Sequence, residues 1–302
     1  MTGTIAGTTS ETLPFAGGIL CHVNSELGEG PSYDPATDTA WWFDIKGRKL
    51  HELHLGSSAK RVHELPFMGS VLAVIDPARQ LIASDEGLFV RHVDGGRLER
   101  LGAIEDKPEC RSNDGRVHQS GTLWIGTMGR SAEKGAGSIY HVAGTTVTKL
   151  YANVGIPNGI CFSPDGATAY FTDSAVNHFM RVAVDPATGL PVGSPEILSD
   201  ESGSPGDIDG AVCDADGLIW NARWGAGTID VYRPDGTKLR RHAVPVTQPS
   251  CPAFIGARAD RLLVTSAWQG LDEAGRASDV HAGRTLELGV AVRGRFEPAF
   301  RL

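Results

Sequence analysis

The sequence predicts an all-β chain folded as a six-bladed β-propeller with a central channel. Three observations predict it. A short strand motif recurs six times at near-constant spacing, turn dipeptides separate the strands, and long helical periodicity is absent.

The motif is a turn followed by a short apolar and aromatic strand. In chain order it reads DTAWWFDI, RQLIASDEG, GTLWIGTMG, ATAYFTDS, GLIWNARWG and DRLLVTSAW. With Trp41, Ile82, Trp124, Tyr170, Trp220 and Leu263 as equivalent points, the steps are 41, 42, 46, 50 and 43 residues. A period of that size, holding about four strands, is the sequence sign of a propeller blade. Asp-Gly pairs at Asp94, Asp165, Asp216 and Asp235, and Asp-Pro pairs at Asp34, Asp76 and Asp185, supply turns between antiparallel strands. Two sandwiches or one large barrel would not require constant spacing. Trp41, Trp42, Trp124 and Trp220 repeat with the blades and read as core packing, whereas Trp268 lies outside that register.

Closing the ring requires both chain ends in one blade, because an open ring exposes two sheet edges. Residues 18–23 precede the first repeat, and residues 286–292 and 298–302 follow the last, so these are expected to share the closing sheet. The predicted organisation is one propeller domain over residues 15–302 behind a flexible, Thr- and Gly-rich tail over residues 1–14.

Composition narrows the function classes. The chain has 302 residues, 41% hydrophobic and 21% charged, with a net charge of −8, which describes a globular chain with room for a full core. No run of Lys and Arg exceeds two residues, so no surface for tracking phosphates is visible and nucleic acid is not an expected partner. The longest uninterrupted aliphatic stretch is Val71 to Ile75, too short for a membrane span. The start lacks the basic head and apolar stretch of a secretory signal, and a cytoplasmic location without an obligate protein partner is expected. Cys21, Cys110, Cys161, Cys213 and Cys251 are odd in number and never form a CxxC pair, so they read as buried thiols in a reducing compartment. The 38 glycines, nearly twice average usage, fit a chain dense in tight turns.

Side chains at one offset in each blade lie on a ring about the axis. Glu29 lies 12 residues before Trp41, Asn113 lies 11 before Trp124, Asn158 lies 12 before Tyr170 and Asp209 lies 11 before Trp220. The same step reaches Ser70 or Val71 in the second blade and Cys251 or Pro252 in the sixth, a less polar wall. Two carboxylates and two amides offer hard oxygen donors, suited to Ca²⁺, Mg²⁺, Mn²⁺ or Fe²⁺ rather than to zinc in a nitrogen or sulfur site. Taken singly, Asn-Gly and Asp-Gly are hairpin turns. The ordinary pairs Asp165-Gly166 and Asp216-Gly217, however, fall immediately before the reference strand, whereas the ring residues share another register. His51-x-x-His54 reads as a solvated strand edge, because i and i+3 point to opposite faces. Neither a Gly-x-Ser-x-Gly elbow nor a phosphate loop is present in the sequence.

Several long stretches, in order, resemble a known family. ELGEGPSYD with WWFDI, RSNDGRVHQSGTLWIGTMG, IPNGICFSPDGATAYFTDS, DGAVCDADGLIWNARWGAGTIDVYRPDG and RADRLLVTSAW are similar to the gluconolactonase family that includes regucalcin and bacterial sugar lactonases, from about Glu26 onward. The resemblance implies a six-bladed propeller that hydrolyses sugar aldonolactones to aldonic acids in carbohydrate catabolism. It also implies one divalent cation, drawn from Ca²⁺, Mg²⁺, Mn²⁺, Fe²⁺ or Zn²⁺, held by Glu29, Asn158 and Asp209. Arg111 and Asn113 correspond to residues that contact the sugar lactone; Arg111 comes from the resemblance alone. Regucalcin-like members carry an acidic pair soon after GTM, where this chain has Arg130 and Ser131, so its pattern of hydroxyl recognition is expected to differ. Glu133 on the same loop reads as a solvent-exposed charge.

The mechanism expected on this basis is metal-assisted hydrolysis with Asp209 as the base that removes a proton from water, or with a metal-bound hydroxide in its place, because a metal-held carboxylate is a weaker base. Two other readings use the same fold. One is a non-catalytic metal-binding propeller serving as a ligand or protein interaction module; the other is a propeller esterase or organophosphate hydrolase. Arg111 beside the ring argues against a purely structural cation, which a neighbouring guanidinium would repel, whereas a polyhydroxylated substrate uses such a donor.

Overall fold

A computed structural model describes residues 11–302. Two short strands come first, β1 (Thr12–Leu13) and β2 (Gly18–Cys21). Blade I holds β3 (Gly28–Asp34), β4 (Thr39–Asp44), β5 (Lys49–His54) and β6 (Ala59–Glu64). Blade II holds β7 (Gly69–Asp76), β8 (Arg79–Ser84), β9 (Gly87–His92) and β10 (Leu98–Gly102). Blade III holds β11 (Cys110–Val117), β12 (Leu123–Gly129), β13 (Gly137–Ala143) and β14 (Thr146–Val154). Blade IV holds β15 (Pro157–Phe162), β16 (Thr168–Asp173), β17 (His178–Ala183) and β18 (Glu196–Asp200). Blade V holds β19 (Asp207–Cys213), β20 (Ile219–Trp224), β21 (Thr228–Tyr232) and β22 (Lys238–Ala243). Blade VI holds β23 (Pro249–Ile255), β24 (Arg261–Ser266) and β25 (Thr285–Glu287), with the one-and-a-half-turn helix α1 (Glu273–Ser278) inserted before β25. The architecture is the predicted six-bladed β-propeller.

Burial along each blade explains the strand order. Inner strands are enclosed on both faces and need not alternate, as in β11, where all eight residues are buried. Outer strands such as β6, AKRVHE, face water and are mostly exposed. The inner strands β3, β7, β11, β15, β19 and β23 touch in sequence and close back on β3. Seven apolar clusters fill the six gaps between blades, two of them between blades VI and I. Trp41 and Phe43 meet Leu72 and Ile82 between blades I and II, for example, and Trp220 meets Phe254 and Val264 between V and VI. The six reference residues are 0–4% exposed; removing a core residue of this size costs about 3–5 kcal/mol.

β2 pairs antiparallel with β25, so the closing sheet takes its outermost strand from the chain start and the other three from its end. Two details differ from the expectation. Of the predicted tail, residues 1–10 lie outside the described residues, while Thr12 and Leu13 form β1 and pair in parallel with β22 of blade V. Residues 298–302 do not enter the closing sheet. The Phe300 N–H donates to the Val74 carbonyl of blade II and the Arg301 N–H to the Gly121 carbonyl of blade III, each at 2.8 Å. Phe300 is an aromatic anchor, 1% exposed, and finds its apolar surroundings in the gap between those blades.

The ladder between each inner strand and its neighbour is broken at the same height, and that of blade II breaks a second time between Val74 and Asp76. The register shifts between Glu29 and Ser32, Gly69 and Val71, Ser112 and Gly115, Asn158 and Cys161, Ile208 and Ala211, and Pro249 and Pro252. A β-bulge re-aims side chains and strengthens local twist. Here a ring of six surrounds the channel.

Candidate active site

The bulges position the polar ring. Glu29 and Asn158 are the last paired residues before their bulges, opposite Phe43 and Thr172, whereas Asn113 and Asp209 lie within theirs. The alternation of 12- and 11-residue offsets in the sequence is absorbed at this point. Glycine is required beside the ring: Gly30 has φ +54°, and a Cβ on it would stand 1.9 Å from the Ser70 carbonyl oxygen of the next blade.

Glu29, Arg111, Asn113, Asn158 and Asp209 all line one cleft of about 190 Å³. Leu27, Met128, Ile156 and Trp224 form its apolar walls; Ser174, Asp207 and Gln269 add polar edges. Arg111 Nη1 donates to Asn113 Oδ1 at 2.8 Å, and Asn113 Nδ2 donates to Asn158 Oδ1 at 2.7 Å. Asn158 Nδ2 donates to Ser174 Oγ at 3.0 Å, and that hydroxyl donates to the Ile208 carbonyl at 2.6 Å, next to Asp209. A continuous line of donors thus runs through three blades along the ring.

The electrostatics are those of crowded buried carboxylates. Burial and then the charge of Asp114 push the Glu29 carboxyl up to about 8, against the Gly30 N–H, Arg111 and Arg116. Asp209 is raised well above the usual carboxylate range by burial, Glu29 and Asp114. Burial also raises Asp114, which Arg116 and the Ile160 N–H at 2.8 Å oppose. Arg111 is lowered to about 10 by burial, with Glu29 resisting and Arg130 assisting the shift.

Such a site fits a divalent cation. A positive charge beside Glu29 and Asp209 would offset the burial and the carboxylate charges that raise them. Among the described residues no three His, Cys, Asp or Glu side chains gather to hold an ion, so the third donor would be the Asn158 amide oxygen. That oxygen accepts from Asn113 and keeps a second lone pair for an ion.

Several contributors had only faint sequence signals. Asp114 follows Asn113 directly and carries the third buried carboxylate; Ser174 ends the FTDS strand; Asp207, Trp224 and Gln269 come from blade edges with no shared offset. On the loop after GTM, Arg130 Nη1 pairs with Asp85 Oδ2 at 3.0 Å, Glu133 Oε2 accepts the Ser131 N–H at 3.2 Å, and Ala132 lines the cleft between them. His51 corrects the expectation of a solvated edge. It is 2% exposed and stacks on Trp42 with ring centroids 5.2 Å apart, because the third strand of the blade is covered on that face.

Several known proteins similar to this chain are lactonases by name. A protein of Rhizobium meliloti (strain 1021) named "Putative sugar lactone lactonase" is 69% identical over 293 residues, 97% of this chain and 100% of that protein. A pentonolactonase of Haloferax volcanii is 35% identical over 283 residues, 91% of this chain and 94% of that protein. The crystal structure of a calcium-binding protein, regucalcin, from Agrobacterium tumefaciens str. C58 matches with a TM-score of 0.96 and 57% identity, covering 97% of this chain and 100% of that one. The family model described as SMP-30/Gluconolactonase/LRE-like region matches residues 27–268, and the chain belongs to that family.

Proposed function

We propose that the protein is a sugar lactone hydrolase in which Glu29, Asn158 and Asp209 hold one divalent cation while Arg111 and Asn113 hold the lactone. The observation that carries this reading is the juxtaposition, in one cleft, of two carboxylates whose burial raises their proton affinity with a buried guanidinium and amide. The names of the relatives support the reaction class, and the calcium-binding neighbour supports a hard divalent ion.

A cation bound there supplies Lewis acidity at the lactone carbonyl. Arg111 lines the cleft with Nη1 engaged by the Ser112 carbonyl and Asn113, which leaves Nη2 to donate to a substrate oxygen. Asn113 orients that guanidinium through its Oδ1. An Asp209 carboxylate oxygen takes a proton from the water that attacks the carbonyl carbon. When the ring C–O bond breaks, the same group returns the proton to the departing oxygen, giving the open hydroxy acid. Leu27, Ile156 and Trp224 limit the access of other water.

The test is acid release from five- and six-carbon aldonolactones by metal-stripped protein resupplied with Ca²⁺, Mg²⁺, Mn²⁺, Fe²⁺ or Zn²⁺, with spontaneous hydrolysis subtracted. Metal-dependent turnover that vanishes in Glu29→Gln and Asp209→Asn is expected. A folded protein that binds the ion and accelerates none of the lactones would refute the assignment, and turnover of aryl esters alone would move it to an esterase.

A further inference from the structure

Arg116 lies on β11, three residues beyond Asn113, and is buried. Its guanidinium leaves its own blade and crosses the channel. Nη1 donates to the Pro31 carbonyl at 3.4 Å and Nη2 to the Ala211 carbonyl at 3.2 Å. Pro31 follows Glu29 by two residues, and Ala211 follows Asp209 by two. One planar group therefore holds the two carboxylate-bearing bulges, in blades I and V, against the strand that carries Arg111 and Asn113. Nη2 also lies 3.4 Å from Cys251 Sγ on blade VI.

The partner of this arginine comes from the irregular run after β25. That run crosses the end of the propeller where the inner strands turn outward: the Ala215 N–H donates to the Arg293 carbonyl at 2.7 Å, and Arg295 Nη2 donates to the Phe162 carbonyl at 2.9 Å. Glu297 then pairs with Arg116 Nη1. Arg116, Arg295, Phe296 and Glu297 border a second, smaller cavity of about 40 Å³, so Arg116 separates it from the ring. The charge of Arg116 acts on Glu29 and Asp114, which places it in the same electrostatic environment as the ion ligands.

Resting on the ligand reading above, we propose that the C-terminal segment is a working part of the ion site. Arg116 is a positioning residue that sets the spacing of Glu29 and Asp209 through the carbonyls behind them. Glu297 is its counter-charge, which keeps the buried guanidinium from repelling the cation. A guanidinium presents a fixed, planar fork whose nitrogens reach acceptors on opposite sides, whereas the three donors of an ammonium radiate from one atom and reach less far apart. Groups that orient metal ligands from behind typically contribute 10- to 100-fold in metal affinity.

The experiment is calorimetric titration of Ca²⁺ and Mn²⁺ into metal-stripped, full-length protein, comparing wild type with Glu297→Gln, Glu297→Asp and Arg116→Lys. Urea unfolding of each metal-free form is followed alongside. Glu297→Gln is expected to bind both ions about tenfold more weakly while remaining folded, and Glu297→Asp to recover most of that loss. Arg116→Lys keeps the charge but loses the span, so it too is expected to weaken binding. It supplies the same reading should Glu297→Gln not fold. Wild-type affinity in the folded Glu297 and Arg116 variants overturns the proposal alone. A wild-type protein that binds neither ion overturns the ligand set and the proposal together.

Discussion

Asn113 Nδ2 donates to Asn158 Oδ1 at 2.7 Å, joining the inner strands of blades III and IV at the polar ring. Because Asn113 Oδ1 receives Arg111 Nη1 and Asn158 Nδ2 gives to Ser174, both amides have their oxygen and nitrogen ends assigned by the same line of bonds. The proposed sugar-binding pair and the proposed cation ligand are therefore one unit. Substituting a member of such a unit affects its neighbours as well.

Asn113→Ala tests that unity. Without the donor, the Asn158 amide is held by Ser174 alone, and Arg111 Nη1 keeps only the Ser112 carbonyl. Lactone kcat/KM is expected to fall by about 10- to 100-fold and cation affinity to weaken with it. Steady-state kinetics and ion titration on the same preparation check this. A raised KM with unchanged ion affinity would separate the two functions.

The acid–base behaviour of the metal-free protein follows from Glu29. Its carboxyl has an ordinary value of 4.5 and is pushed up to about 8 by burial first and the Asp114 charge second. Between those values the folded state holds a proton that the unfolded state has lost, so stability is full below 4.5 and declines as pH rises through 8. Thermal unfolding in chelator is expected to shift downward across that window. Added Ca²⁺ should reverse the loss, and by more at pH 8 than at pH 5, because it binds the ionised form. A melting temperature that rises from pH 5 to 8 without metal would contradict the assignment of Glu29 as the strained carboxyl.

Gly30 gives a stability test tied to the site. Its φ of +54° disfavours any side chain by about 1–2 kcal/mol, and a Cβ 1.9 Å from the Ser70 carbonyl oxygen would push blades I and II apart. Gly30→Ala is expected to destabilise by about 2–4 kcal/mol and to weaken ion binding through Glu29. Gly203, where a Cβ would meet nothing within 4 Å, is the matched comparison. Gly203→Ala is expected to stay within about 0.5 kcal/mol of wild type. Equal urea midpoints for the two variants would remove the steric argument.

What was legible in the sequence is what repeats. The blade period fixes six sheets because each blade needs the same apolar strand near its centre. The ring at Glu29, Asn113, Asn158 and Asp209 shows because radial symmetry turns an offset into a height. Unrepeated contacts left no such trace. Arg116 reaches the carbonyls of Pro31 and Ala211, and a backbone carbonyl has no sequence identity to be counted. Proximity in the chain points Phe300 to the closing blade, yet an apolar anchor docks wherever a gap accepts it, here beside Val74. The period-two argument for His51 and His54 placed them on opposite faces of β5. Both faces of that strand are partly covered by neighbouring elements, so opposite faces did not imply a solvated edge.

A second buried charge cluster, in blade V, carries stability without touching the cleft. Asp230 is 0% exposed; Arg241 grips it with Nε at 2.7 Å and Nη2 at 2.8 Å, and Lys238 Nζ lies 3.2 Å away. Lys238 also holds Glu201 at 2.7 Å, and the fully buried Arg223 stands 3.7 Å from the same carboxylate. Burial raises the Asp230 carboxyl, but hydrogen bonds from Arg241 and the nearby cations outweigh it and leave the group below its ordinary value. Here the sign is opposite to that of Glu29: the stability is present above the ordinary value of 3.8 and is lost as pH falls through the lowered one. Breaking one partner of a buried ion pair strands the others, so Asp230→Asn is expected to cost about 3–5 kcal/mol at pH 7. Lactone turnover per folded molecule should not change, because none of these residues lines the cleft. Urea unfolding at pH 7 and at a series of pH values below 3.8 checks both parts: the difference between variant and wild type should persist down to 3.8 and shrink below it, and an undiminished difference there would assign the loss to packing instead of charge.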